Sequence, residues 1–267
     1  MAPTAPTAPT PETLIVERRN GVVTVTMHRI ERKNAANGVM LHELQGIFTE
    51  IEHTPEDRAM VLTGAGGSFC TGADLADPEG PATFASLSGM RGLGDVALAL
   101  HRLTKPTIAK VDGHAVGAGL SLALGCDLIV CSDQAKLSMI FARRGLSLDN
   151  GASWLLPRLV GLAKAKEIAL FGGMWSGEEA LALGLINRVV PVDELDAFVD
   201  EWATTLAAGP TIALSLIKTM LNASAQSSME QALENEARCQ AVNLASRDTR
   251  EALNAFFERR EPTFTGS

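Results

Sequence analysis

No stretch of this 267-residue chain holds the roughly 18 uninterrupted apolar residues of a membrane span. The longest apolar run, around Leu120, is broken by glycines and ends at Cys126 and Asp127. An apolar segment of signal-peptide type is missing from the N-terminus. The four cysteines, Cys70, Cys126, Cys131 and Cys239, have no framework spacing, which argues against a disulfide-stapled scaffold. A soluble protein of the reducing cytoplasm is expected. Positive charge is also short: 23 Lys and Arg stand against 31 Asp and Glu, a net charge of -8. That balance argues against a nucleic-acid surface and a polybasic membrane anchor, so an anionic ligand would need a local basic cluster. What the chain does have is 46% apolar residues, enough to bury a large core without metals or disulfides.

MAPTAPTAPTPE opens the chain with three Ala-Pro-Thr repeats, and proline fixes φ while removing a donor, so residues 1–12 read as a disordered tail. Asn20-Gly21 between LIVERR and VVTVTMHR predicts a β-hairpin with a type I′ turn. Asn37 can cap a helix to about His53 that buries Met40, Leu41, Leu44, Ile47, Phe48 and Ile51 on one broad face. A short buried strand, AMVLTG, then leads into GAGGSFCTGADL, and a second strand, Thr107 to Val111, leads into GHAVGAGLSLALGCD. DLIVCS and KLSM read as further strands, and from about Ser153 the chain is mostly helical. Ser176-Gly-Glu-Glu179 has the form of a capping box, and amphipathic patterns follow over Leu195–Leu206, Ile212–Leu221, Met229–Leu244 and Arg250–Arg260. Strands alternating with helices, then helices alone, give an α/β core with a C-terminal helical part.

Gly113–Asp127 carries three glycines in its first seven residues and no carboxylate before its last. A dinucleotide fingerprint fails because Leu122 stands where the third small residue belongs, and neither glycine loop contains the Gly-Lys-Ser/Thr of a P-loop. Gly119-Leu-Ser121-Leu-Ala123 falls one residue short of Gly-x-Ser-x-Gly, and all five histidines precede Ser121, against the hydrolase order. Ser121 therefore reads as a packed helical serine. The remaining readings are tight packing, or two strand-loop-helix junctions that each aim a peptide N–H at one oxygen. Asp74, Asp112, Asp127 and Asp133 read as caps and strand-end residues, and His114 as a packing residue.

GSFCTGADL, KPTIAKVDGHAVGAGLSLALGCDLIV, GLSLDNGASWLLPRLVG, SGEEALALGLINRVVP and AFFERREPTF together resemble the enoyl-CoA hydratase/isomerase (crotonase) family, from about Thr13 to Phe264. The resemblance implies a crotonase-like α/β spiral of ββα repeats over 13–195 and a C-terminal helical trimerisation region over 196–267, with trimers often paired as hexamers. It implies an acyl-coenzyme A substrate whose thioester oxygen lies between the backbone N–H groups of Ala73 and Ala118. No separate cofactor or metal is implied, since coenzyme A arrives as part of the substrate. Alanine at 118, where many relatives have glycine, leaves that main-chain donor intact.

The two glutamates of the family's hydratases fall here on Ser121 and Phe141. A hydratase needs both to activate water and protonate carbon, so isomerisation is the favoured expectation. Asp149 in GLSLDNGAS matches the aspartate of double-bond-shifting members and is the expected proton carrier, although residue type alone would equally make it a turn or cap residue. Leu146, Leu148 and Trp154 would raise its pKa above about 3.9. Arg29, Arg32 and Lys33 form the basic loop expected to meet the coenzyme A phosphates, with a solvated loop as the alternative. Arg259 and Arg260 are weaker candidates, for a neighbouring subunit's ligand. Two other functions stay open: a hydratase or lyase using Asp149 and a water, and a non-catalytic acyl-CoA-binding paralogue.

Overall fold

The computed structural model describes residues 11–77 and 86–267. Residues 1–10 of the proline-rich tail, and Phe84 at the start of the segment expected to line the acyl end, lie outside the described residues. Glu12, which the sequence reading places in the tail, is anchored, its N–H donating to the Glu43 carboxylate at 2.6 Å.

Asn20 (φ 51°) and Gly21 (φ 79°) adopt the left-handed backbone that turns β1 (Leu14–Arg19) onto β2 (Val22–Met27). The Asn37 side chain accepts the Met40 N–H at 3.0 Å and starts α1 (Gly38–His53), which buries Met40, Leu44, Phe48 and Ile51. β3 (Ala59–Gly64), β4 (Thr107–Val111), β6 (Leu128–Ser132) and β9 (Arg188–Val190) extend the hairpin in parallel. The resulting sheet has the order β1-β2-β3-β4-β6-β9. β5 (His114–Val116), β7 (Lys136–Ser138) and β8 (Trp175–Ser176) form a second sheet in that order.

The central strands are apolar on both faces because both are covered. Met60, Leu62, Ala109, Val111, Ile129 and Cys131 belong to the larger core, shared with α1, α2 (Leu87–Arg102), α3 (Ala118–Leu124) and α4 (Ala152–Phe171). On the opposite face Val61, Ile108 and Val130 meet Leu195, Val199 and Ala203 of α6 (Leu195–Ala208). The capping box at Ser176 forms as expected and opens α5 (Gly177–Ala182). α7 (Thr211–Ser224), α8 (Met229–Ala245) and α9 (Arg247–Glu258) complete the chain. A buried lysine ties α7 to the core: Lys218 Nζ meets Asp127 Oδ2 at 2.7 Å and donates to the Lys105 carbonyl at 3.0 Å. α4 is kinked at Gly161 (φ 74°, ψ 159°), a break that the sequence pattern does not announce.

The two glycine loops are stitched together through Cys70. Its N–H donates to the His114 carbonyl and its carbonyl accepts from Val116 N–H, both at 2.9 Å. α3 then passes so close that a β-carbon on Gly119 would lie 2.2 Å from the Cys70 oxygen. Gly119→Ala should therefore destabilise the protein by about 1–3 kcal/mol in denaturant unfolding. Gly46→Ala, in open space on α1, should instead gain up to about 1 kcal/mol. Equal stability of the two variants would show that the close approach is dispensable.

Candidate active site

Gly72, at φ 93°, brings the first loop against the second: a β-carbon there would sit 3.0 Å from Val116 O and 3.6 Å from Ala118 N. Ala36 N–H donates to Gly72 O at 2.7 Å and Asp74 N–H to Ala36 O at 2.9 Å, so the bridge engages the groups on either side of Ala73 and leaves its N–H free. In the second loop Gly117 takes φ 56° and ψ -125°, backbone that glycine adopts readily, and precedes the first residue of α3. That residue is Ala118, whose N–H belongs to the helix-start group with no intrahelical acceptor. Neither Ala73 N–H nor Ala118 N–H has a hydrogen-bond acceptor among the described residues. Two free peptide donors thus stand on adjoining loops.

Asp149 lies just before α4, where its carbonyl accepts the Ala152 N–H at 3.0 Å. The carboxylate does not cap: its Oδ1 is buried without any partner, and burial raises the pKa from 3.8 to about 6. The next residue connects this loop to the donors. Asn150 is buried, takes left-handed backbone (φ 47°), and its Nδ2 donates to the Ala118 carbonyl at 3.4 Å while its Oδ1 has no partner. Sequence reasoning missed Asn150, although Asn150-Gly151 repeats the Asn-Gly dipeptide that it used to place the first hairpin turn.

Beside Asn150 opens a cavity of about 550 Å³ lined by Ala97, Leu100, His101, Ser121 and Trp154 among others; Ala73, Ala118 and Asp149 do not line it. Ser121 is buried with its hydroxyl donating to the Gly117 carbonyl at 3.2 Å, the packed helical serine expected. Phe141 is also buried, its ring edge 3.8 Å from the β-carbon position of Gly117. Leu146 is 54% exposed and does not line the cavity, so the apolar character comes from the α2 and α4 residues instead. Cys70, the thiol nearest the loops, is inert because burial pushes it up to about 11.

Of the three basic residues expected at the phosphates, Arg29 is committed elsewhere. Its guanidinium donates to Ala35 O and pairs with Asp74 at 2.9 Å, with 15% of the side chain exposed. Burial works against the Asp74 anion, but the hydrogen bonds from Arg29 and Ala76 N–H outweigh it and hold the carboxyl below its ordinary range. Arg29 therefore ties Asp74 of the first loop to the turn after β2. Arg32 and Lys33 are exposed, and their carbonyls accept from the Thr71 hydroxyl next to Gly72. Arg260 is paired with Glu251 and Glu258 on its own chain, and Arg259 closes α9 in left-handed backbone. Asp112 and Asp133 accept from the Ser132 hydroxyl and Val192 N–H respectively, as strand-end residues should.

Residues 17–267 match the family model described as enoyl-CoA hydratase/isomerase. The chain belongs to this family. It is 38% identical over 259 residues to 1,2-epoxyphenylacetyl-CoA isomerase of Escherichia coli, covering 96% of this chain and 99% of that protein. It is 32% identical over 250 residues to short-chain-enoyl-CoA hydratase of Clostridium acetobutylicum, covering 93% and 95%. The crystal structure of enoyl-CoA hydratase from Bacillus anthracis superposes with a TM-score of 0.92 at 30% identity, covering 96% of this chain and all of that one. The fold is thus crotonase-like, as the motifs implied, and the chain is an acyl-CoA enzyme of a family whose members include both isomerases and hydratases.

The partly buried Asp149 carboxyl should be visible in stability. The unfolded chain ionises it near 3.8, whereas the folded chain holds it protonated up to about pH 6. Its burden on stability is thus absent below the lower value, grows between the two and is complete above the upper, at about 3 kcal/mol. Asp149→Asn should therefore be more stable than the parent by about 1–3 kcal/mol at alkaline pH, with the gain fading in acid. A difference independent of pH in denaturant titrations would show that the carboxyl is not desolvated.

Proposed function

We propose that this enzyme moves a carbon–carbon double bond along an acyl-CoA thioester. The observation that carries the proposal is the Asp149 carboxyl, partly buried, with a buried Oδ1 that has no partner and a pKa raised to about 6, one residue from the Asn150 amide that holds Ala118. In this reading the thioester oxygen of a 3-enoyl-CoA takes the two free N–H groups of Ala73 and Ala118. The Asp149 carboxylate removes a proton from C2, and the electron pair delocalises onto the oxygen as a dienolate. Protonated Asp149 then returns the proton to C4, leaving a 2-enoyl-CoA of unchanged mass. A pKa near 6 suits both halves of that exchange. The donors act on charge that appears only during the reaction, so they favour the enolate over the ground state.

Absence of a glutamate at 121 and 141 argues against hydration, because no second acid or base faces the site from α3 or from the turn at Ile140–Arg144. The hydratase reading keeps one specific support, the likeness to a short-chain-enoyl-CoA hydratase. Arg32 and Lys33, exposed beside the first loop, supply the positive charge for the coenzyme A phosphates. Exposed Leu170, Phe171, Leu244, Phe256 and Phe257 support assembly into a homotrimer or hexamer, and light scattering should give a mass of at least three chains.

Incubation with a 3-enoyl-CoA should yield a product of the same mass and altered retention, and a 2-enoyl-CoA should gain no water. A product heavier by one water would overturn the isomerase reading in favour of hydration. Asp149→Asn should lower turnover by about 10²–10⁴ with binding nearly intact. In the parent, kcat/KM should fall as pH drops through about 6, since the base must be ionised, and this limb should vanish in the variant. Replacing both Arg32 and Lys33 by Ala should raise KM and leave kcat largely unchanged.

A further inference from the structure

We propose that His101 sets the acyl length this enzyme accepts, by closing with Trp154 a partition between two cavities that would otherwise be one. The inference rests on the reading that the cavity beside Ser121 and Asn150 receives the acyl group. That cavity follows α2 from Gly94 to His101, about 10 Å at the rise of an α-helix. A second cavity of about 590 Å³ begins on the far side, between the ends of α2 and α3 and the apolar face of α7 at Leu214, Ile217 and Leu221. The two share His101, Gly125, Trp154 and Leu155 as common walls.

The rings of His101 and Trp154 stand edge to face, with centroids 5.1 Å apart and planes at 71°. Trp154 is held in place. The Arg158 guanidinium lies 3.8 Å above its ring and donates to its carbonyl at 2.9 Å. His101, on the last turn of α2, has no hydrogen-bond partner among the described residues; its ring packs against Trp154 and lies near the charges of Lys218, Asp127 and Arg102. Of the four shared walls, Gly125 contributes no side chain and packs against Leu100, whose Cδ2 would lie 3.0 Å from a β-carbon there, and Trp154 and Leu155 belong to α4, so the imidazole is the side chain that α2 supplies to the partition.

The test is calorimetric binding of a homologous series of saturated straight-chain acyl-CoA thioesters, which cannot react. While the chain still has room, each added methylene should tighten binding by about fourfold. In the parent that gain should stop, and reverse, at the length that reaches the partition. His101→Ala should continue the gain to longer esters and bind the longest at least about tenfold more tightly than the parent does. His101→Phe, which restores the bulk, should return the parent's limit. The ratio of kcat/KM for long over short 3-enoyl-CoA esters should rise in the alanine variant alone. Binding with the same length limit in the parent and His101→Ala overturns the partition, as does a limit moved equally by Ala and Phe. No binding at any length overturns both the partition and the acyl-group reading of the cavity. Binding without double-bond migration overturns the isomerase reading and leaves the length limit to be read from the affinities.

Discussion

The close approach of α3 to Cys70 governs the geometry of the site. Gly119 permits that approach, since any side chain would enter the Cys70 carbonyl. Cys70 also pairs with β5 through both its N–H and its carbonyl, so the first loop takes its position from the strand that leads into the second. The free N–H groups of Ala73 and Ala118 consequently belong to one rigid assembly although 45 residues separate them in the chain. Arg29 and Asp74 brace that assembly through an ion pair at 2.9 Å, which engages a cation the ligand could otherwise have used.

A third segment joins through Asn150. Its Nδ2 grips the Ala118 carbonyl, and the neighbouring Asp149 is thereby held near the donors on a backbone that takes φ 47° at Asn150 and φ 83° at Gly151. The orphaned Oδ1 atoms of Asp149 and Asn150 are destabilising in a folded protein, where buried polar atoms usually find partners. Such a constellation is the kind that binding a ligand or carrying a proton can account for, and packing alone does not.

Local chemistry made much of this legible. Asn20-Gly21, the Asn37 cap, the Ser176 capping box and the apolar runs of β3, β4 and β6 each carry their own instruction in a few residues, and each element forms where that instruction sits. β5, β8 and β9 span three residues or fewer, too short to display a period of two, and their pairing depends on partners distant in the chain. At the site, the roles proposed for Ala73, Ala118 and Asp149 come from motifs. The pairing of Arg29 with Asp74 was not legible, because charge density along the sequence cannot show that Asp74 folds back onto it. His101 and Asn150 were passed over because a solitary histidine or asparagine has no pattern, and their meaning comes from a cavity assembled by three helices.

The proposed contacts to the thioester oxygen have an uncommon genetic property. A donor supplied by a side chain can be erased by any of many substitutions, whereas the N–H groups of residues 73 and 118 persist whatever side chains those codons specify. Proline alone removes them. Apart from Gly72, Gly117 and Gly119, which place these donors, the mutational target for losing this half of the chemistry is therefore small, while the target for altering the other half, through positions 121, 141 and 149, is wide open. A scaffold so arranged can exchange one reaction for another without rebuilding the place where the charge is held.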